Sequence, residues 1–491
     1  MNSGSLHFDL LGQLLPEAAL VLTALAVLLL DVRWFRHLQP AERMHRAALG
    51  SAAGLFAAWI LLAVNMANGD APEATFVLEP STQFLKGVLV WLSMATALLA
   101  AAGRFTRHAG EFFALLLLAT VGLLLLIGTA NLLMIFVALE LVSLSLYVMT
   151  AFHDERPEST EAALKYFLFG GLAASFTLFG FSLVYGLTGS LQLPVIGSRL
   201  SHGTGGPILW MSMVMILAGL GFKVALAPFH LWAPDAYQGA PTPAAAFIAS
   251  GSKVAGFLLL VRVLHAGLGT STAGGAGGLD WTPGWIPVVA VLSTLSMLVG
   301  NLTALQQTDL RRLLAFSAVA QAGYGALALL DPSPESRAVV LYFAVTYAIT
   351  VLGAFGVVGA LESAGAEVSL SGLIGLGRRS PLLAACLTVF VLSLAGIPPL
   401  AGFFGKFFTF VQAIGHGSQI GRLWMVVVAV ATSAVSLFYY LRILKQALMT
   451  PSSAPVRPIH VAPLTATVLI ILALLTVILG VFPQWLLQSL Q

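Results

Sequence analysis

The chain has 491 residues, 58% hydrophobic and 9% charged, whereas a soluble domain carries roughly 25% charged residues; this excludes a water-soluble enzyme or binding module. The net charge of +3 comes from basic residues scattered in ones and twos, which excludes a nucleic-acid-binding surface. A single cysteine, Cys386, excludes an internal disulfide, a cysteine-ligated cluster and a CxxC zinc site.

In chain order, apolar runs long enough to cross a hydrocarbon core of about 30 Å predict fourteen transmembrane helices. They fall near 14–32, 47–67, 82–102, 111–128, 131–151, 161–187, 207–230, 241–266, 284–305, 309–330, 338–361, 380–412, 421–447 and 463–486. Asp9 and Glu17 mark the start of the first run, and Arg33 and Arg36 follow it. That order is the reverse of a secretory signal peptide and predicts a retained helix with its N-terminus outside. The same orientation puts most basic residues, among them Arg43, Arg104, Arg156, Arg311, Arg312, Arg442 and Arg457, on the cytoplasmic side. The outer loops receive Asp70, Glu73, Glu79, Asp280 and Asp331, in agreement with the positive-inside rule. Four basic residues, Lys223, Lys253, Arg262 and Lys406, fall inside apolar runs, and Arg262 is near enough to a helix end to snorkel.

Two predicted helices are irregular in matching ways. The seventh holds Gly219-Leu-Gly-Phe-Lys223 followed by Pro228-Phe-His230, and the twelfth holds Gly396-Ile-Pro398-Pro399 followed by Gly405-Lys406. Paired Gly/Pro-interrupted spans, each with a lysine beside the break, point to inverted repeats around a midplane ion site. The expected fold is therefore an all-α polytopic membrane protein with two inverted five-helix repeats, helices four to eight and nine to thirteen. Its segments are 1–110 (three helices), 111–266 (first repeat), 284–447 (second repeat) and 463–491 (last helix).

Glu140 lies nine residues from Asn131, the nearest polar end of its run; at about 1.5 Å per residue it is roughly 14 Å deep. A carboxylate there costs about 2.5–3.5 kcal/mol, so a partner, a proton or water is expected beside it. Lys253 is too deep to snorkel, and the break after Lys223 frees backbone groups that call for a hydrated cavity. Lys406 has the same character. His230 follows Lys223 by seven residues, two turns on one face if the helix continues, and is placed to pass protons toward the cytoplasm. The histidines form no metal-ligand spacing. Gly405-Lys406 fails as a phosphate loop because Leu400 and Phe407 stand where glycine and Ser/Thr are required, and Gly323-Tyr-Gly325 lies in an apolar helix with no strand before it.

The stretch from Gly221-Phe-Lys223 through Pro228-Phe-His230-Leu-Trp232-Ala-Pro234-Asp235-Ala-Tyr237-Gln238-Gly239-Ala-Pro241 to Ser252-Lys253 resembles the signature of the antiporter-like subunits of respiratory complex I. Glu161-Ala-Ala-Leu-Lys165-Tyr-Phe and the Ala395–Lys406 segment resemble subunit N, and a lysine at 406 departs from the M-type pattern. The resemblance implies a Glu140–Lys223 ion pair, Lys253 as central relay, Lys406 as the gate toward the outside and Lys165 as a further charged position. It implies subunits M, L, K and J as partners in a bacterial inner membrane, both termini periplasmic. Quinone, NADH, FMN and iron–sulfur clusters would sit in partner subunits, with no cofactor in this chain. The alternatives are a subunit of a multisubunit cation/proton antiporter and a passive membrane scaffold.

Overall fold

The computed structural model describes residues 12–67, 77, 79–153, 156–201, 206–269, 284–414, 422–451 and 458–491. Asp9, Asp70, Glu73, Asp280 and Arg457 of the charge argument lie outside the described residues. Fourteen spans follow the predicted order: α1 Leu15–Arg33, α2 Pro40–Ala67, α3 Pro80–Ala100, α4 Ala109–Ile127, α5 Leu132–Thr150 and α6 Pro157–Thr188. Then come α7a Pro207–Val224 with α7b Trp232–Gly239, α8a Thr242–Ala249 with α8b Gly251–Val261, α9 Trp285–Ala304, α10 Leu310–Leu327 and α11 Pro334–Ser363. The chain closes with α12a Pro381–Ala395 and α12b Ala401–Ile414, α13 Leu423–Leu444, α14 Pro463–Val481 and the short α15 Pro483–Leu490. Thirteen of the described spans are long and apolar enough to cross a membrane, and α12a with α12b completes a fourteenth. Proline opens α3, α6, α7a, α11, α12a and α14, where its missing N–H and fixed φ suit the first turn.

The apolar stretches of α8 and α10 are wholly buried and that of α11 nearly so, as expected of helices surrounded by protein on every side. They form the centre, so polar side chains on them face protein. The peripheral α1, α6 and α14 bury about a third of their apolar windows.

Several boundaries correct the predicted ones. Helix seven stops at Val224 rather than at 230, because Ala225 adopts the left-handed conformation (φ 60°). Leu226 N–H then bonds back to the Gly221 carbonyl at 2.8 Å. Helix twelve ends the same way at Gly396 (φ 85°), with Ile397 N–H on the Leu392 carbonyl at 3.1 Å. Both are the αL termination that satisfies freed carbonyls. Helix eight breaks at Ser250 (φ −107°, ψ −83°) and widens into a π-helix at Arg262–Leu268. α14 ends at Val481, before α15.

A second matched feature lies at two helix starts. Asn131 caps α5 and bridges to Gln192, while Asp309 caps α10 and bridges to Ser369. The two starts are five helices apart and so lie on opposite faces of the bundle.

One face gathers Arg43, Arg107, Arg156, Arg311, Arg312 and Arg442 at helix ends. There Asp31 is clasped by Arg43 and accepts from Gly110 N–H at 3.1 Å. On the opposite face Lys86 meets Glu17 at 2.7 Å with both buried, and Arg337 meets Glu79 at 2.5 Å. Arg262 does not snorkel. It is buried and donates to the Ile127 and Thr129 carbonyls at the end of α4 and, at 2.7 Å, to Thr82 Oγ1.

Candidate functional site

Three buried lysines define the site, each placed by a helix irregularity. Lys223 is the second-last residue of α7a, beside the Ala225 termination, and is 5% exposed. Its Nζ donates to Ser143 Oγ of α5 at 3.1 Å, and Ser143 donates to the Leu139 carbonyl at 2.6 Å. Glu140 stands three residues before Ser143, about one turn along α5. It is half-buried, flanked by exposed Val137 and Leu144 at the rim of the helix's outward face. Glu140 and Lys223 interact electrostatically, but among the described residues they form no direct ion pair. The implied pair is instead a lysine–serine contact with the carboxylate a turn away, because the lysine reaches α5 one turn beyond Glu140.

Lys253 is the third residue of α8b, just past the Ser250 break, and is 1% exposed. Its Nζ donates to the Ala318 carbonyl of α10 at 2.6 Å and lies 5.4 Å from the Tyr347 ring centre on α11. Lys406 sits on α12b and folds back across the break: its Nζ donates to the carbonyl of Ala395, the last residue of α12a, at 3.2 Å. The C-terminal end of a helix attracts a cation. Ser433 Oγ on α13 accepts a second bond at 3.1 Å, and the Tyr324 ring centre of α10 lies 4.8 Å away.

α10 therefore serves two lysines, with the Ala318 carbonyl for Lys253 and the Tyr324 ring for Lys406. Gln321 lies between them and donates to the Leu394 carbonyl at 2.9 Å. Tyr324 is held by Asn301 Nδ2 at 2.9 Å and donates to Thr432 Oγ1 at 3.2 Å, while Tyr439 donates to Asn301 Oδ1 at 3.0 Å. Among the described residues, none of the three ammonium groups has a carboxylate within ion-pair distance.

His230 is buried within the break; since α7a has already ended, the seven-residue spacing from Lys223 no longer places the two on one helical face. Lys165 lies on the Arg-rich face, 42% exposed, bonded to Glu161 at 2.7 Å and Asp235 at 3.0 Å. Sequence reasoning missed Ser143, Gln321, Tyr324 and Tyr347, neutral polar residues in apolar runs. Gln321 and Tyr324, three apart in one apolar run, carried the one readable signal.

Residues 129–436 match the family described as NADH:quinone oxidoreductase/Mrp antiporter, TM. The NADH-quinone oxidoreductase subunit N 2 of Acidobacterium capsulatum is 47% identical, over 99% of each chain. The chain belongs to the subunit N branch of this antiporter-like family. Other subunit N relatives include one from Roseiflexus castenholzii, 38% identical over 96% of each chain. A chain of respiratory complex I from Thermus thermophilus superposes with a TM-score of 0.76 at 34% identity, covering 96% of this chain and 99% of that one. A chain of the Mrp complex of a Dietzia species, 22% identical with a TM-score of 0.79 over 96% of each chain, shares the fold.

Proposed function

We infer that this chain is a proton-translocating membrane-arm subunit of a bacterial NADH–quinone oxidoreductase, in which quinone reduction in partner subunits drives protons along its buried ionisable side chains. The observation that carries this reading is the lysine series with α10 as its shared element. Ala318 and Tyr324 are six residues apart, roughly 9 Å along the axis, so the supports of Lys253 and Lys406 are neighbours. In this reading Glu140 and Lys223 load the proton, Lys253 passes it on and Lys406 gates the outer side. His230 and Lys165 serve the cytoplasmic side. A proton-motive force of roughly 200 mV opposes each proton by about 4.6 kcal/mol, within the range that charge rearrangement in a buried site supplies.

Glu140 at the rim of an outward face supports assembly, since a midspan carboxylate facing lipid costs about 2.5–3.5 kcal/mol and a neighbouring subunit would cover it. The implied neighbours are the membrane-arm subunits M, L, K and J, with quinone, NADH, FMN and iron–sulfur clusters held by partner subunits. The location is the cell inner membrane, with the Arg-rich face cytoplasmic and both termini periplasmic. Residues 111–266 and 284–447 form two inverted units between the 1–110 and 463–491 segments. The matched αL terminations at Ala225 and Gly396 and the matched caps at Asn131 and Asp309 support that division.

The test is proton pumping and quinone reduction in membrane vesicles holding the assembled complex. Lys223→Ala and Glu140→Ala should assemble but lose most pumping. Full pumping and full quinone reduction in both would leave a passive scaffold.

A further inference from the structure

A cluster of charges on the Arg-rich face lies apart from the three buried lysines. α7b lies there between the two halves of the chain. Asp235, its fourth residue, accepts from Lys165 Nζ of α6 at 3.0 Å and from Arg312 Nη1 of α10 at 2.7 Å; Arg312 also donates to Gln238 at 3.0 Å. A cavity of about 640 Å³ opens beside them, lined in part by Arg156, Glu161, Lys165, Asp235, Gln238 and Arg311.

The first residue of α7b, one turn before Asp235, is tied to the lysine site. Trp232 Nε1 donates at 3.0 Å to the carbonyl of Phe222, the residue before Lys223, and Ala227 N–H of the connecting loop donates to Ser296 Oγ of α9 at 2.8 Å. An eight-residue helix is too short to hold itself, so these contacts set where α7b sits. Arg312 starts the same helix that supports Lys253 and Lys406, so a shift of α10 reaches Asp235 directly.

We propose that Asp235 is a latch: its paired contacts with Lys165 and Arg312 pin α7b across the path from the cytoplasmic cavity to Lys223, and their release opens that path. This rests on the proton-relay reading. Half-exposed ion pairs hold weakly, which suits a contact that opens and recloses on each turnover. Asp235 is thus a positioning residue, acting through Trp232 and the Phe222 carbonyl rather than by carrying the transported proton.

The test uses the assembled complex in vesicles, with pumped protons per quinone reduced and backbone hydrogen–deuterium exchange as readouts. Asp235→Asn should speed exchange across 225–239 by about tenfold while leaving α5 unchanged, and should lower the proton yield at least ~twofold. Asp235→Glu should restore both. Normal exchange and yield in Asp235→Asn overturn the latch; if Lys223→Ala has meanwhile lost pumping, the relay reading stands without it. If Lys223→Ala pumps normally, the relay reading falls as well. Should Asp235→Asn not assemble, Lys165→Gln combined with Arg312→Gln, which removes both cations from Asp235, gives the same two readouts, and normal values there are equally decisive.

Discussion

The Glu140–Lys223 relationship is open to a quantitative test. Lys223 Nζ is fixed 3.1 Å from Ser143 Oγ, and Glu140 lies three residues earlier on α5, roughly 4.5 Å along the axis. A charge separation of about 7 Å follows, and at an effective dielectric constant near 20 the interaction is about 2 kcal/mol. That corresponds to roughly a thirtyfold effect on any step that depends on both charges. Glu140→Gln, Lys223→Met and the double variant should be compared as a cycle in vesicles, following initial pumping rate and quinone reductase rate. The expected outcome is strong non-additivity, the double variant being little worse than the worse single one. Additivity within about 0.5 kcal/mol, with all three complexes assembled, would refute the reasoning, because the two charges would then act independently.

Other substitutions test separate parts of the structure. Arg262→Met leaves the Ile127 and Thr129 carbonyls and Thr82 without their cation; charge-assisted bonds of about 1.5–3 kcal/mol each predict a lower thermal midpoint of the purified complex, checked by thermal unfolding. Lys86→Met strands the buried Glu17 carboxylate and should destabilise by about 3–5 kcal/mol. Glu17→Leu combined with Lys86→Met should recover most of that loss, as measured by the amount of complex assembled. Ser433→Asp sets a carboxylate beside Lys406 Nζ and should lock a proton there, cutting pumping at least ~tenfold in an assembled complex; unchanged pumping would count against exchange at Lys406.

The number and order of spans were legible because each must be apolar over its length, whatever it packs against. The lysines at 223, 253 and 406 were legible for the complementary reason: a charge in such a run is costly enough to stand out. The end of helix seven at Val224 was hidden, since nothing in an alanine's side chain signals the left-handed conformation that Ala225 adopts. The Ser250 break was hidden by a run whose composition reads as one helix. Arg262 was misread because nearness to a helix end says nothing of the open carbonyls of α4 beside it. Asp235 was read within a motif rather than as a contact between halves, because its partners Lys165 and Arg312 lie 70 and 77 positions away.

The chain contains two kinds of buried lysine, and the difference argues for their roles. Lys86 is paired directly with Glu17 at 2.7 Å, both side chains 5% exposed; breaking such a pair costs about 3–5 kcal/mol, as much as the roughly 4.6 kcal/mol that 200 mV places on a proton. A proton held that firmly stays, so this pair fastens α1 to α3. Lys223, Lys253 and Lys406 are held by a hydroxyl, by carbonyls and by tyrosine rings. A hydrogen bond from a charged group contributes about 1.5–3 kcal/mol, enough to seat an ammonium, and loss of its proton strands no fully buried carboxylate as it would at Lys86. On the proposed relay, direct carboxylate contact is absent at the three lysines that would exchange protons and present at Lys86, which only attaches.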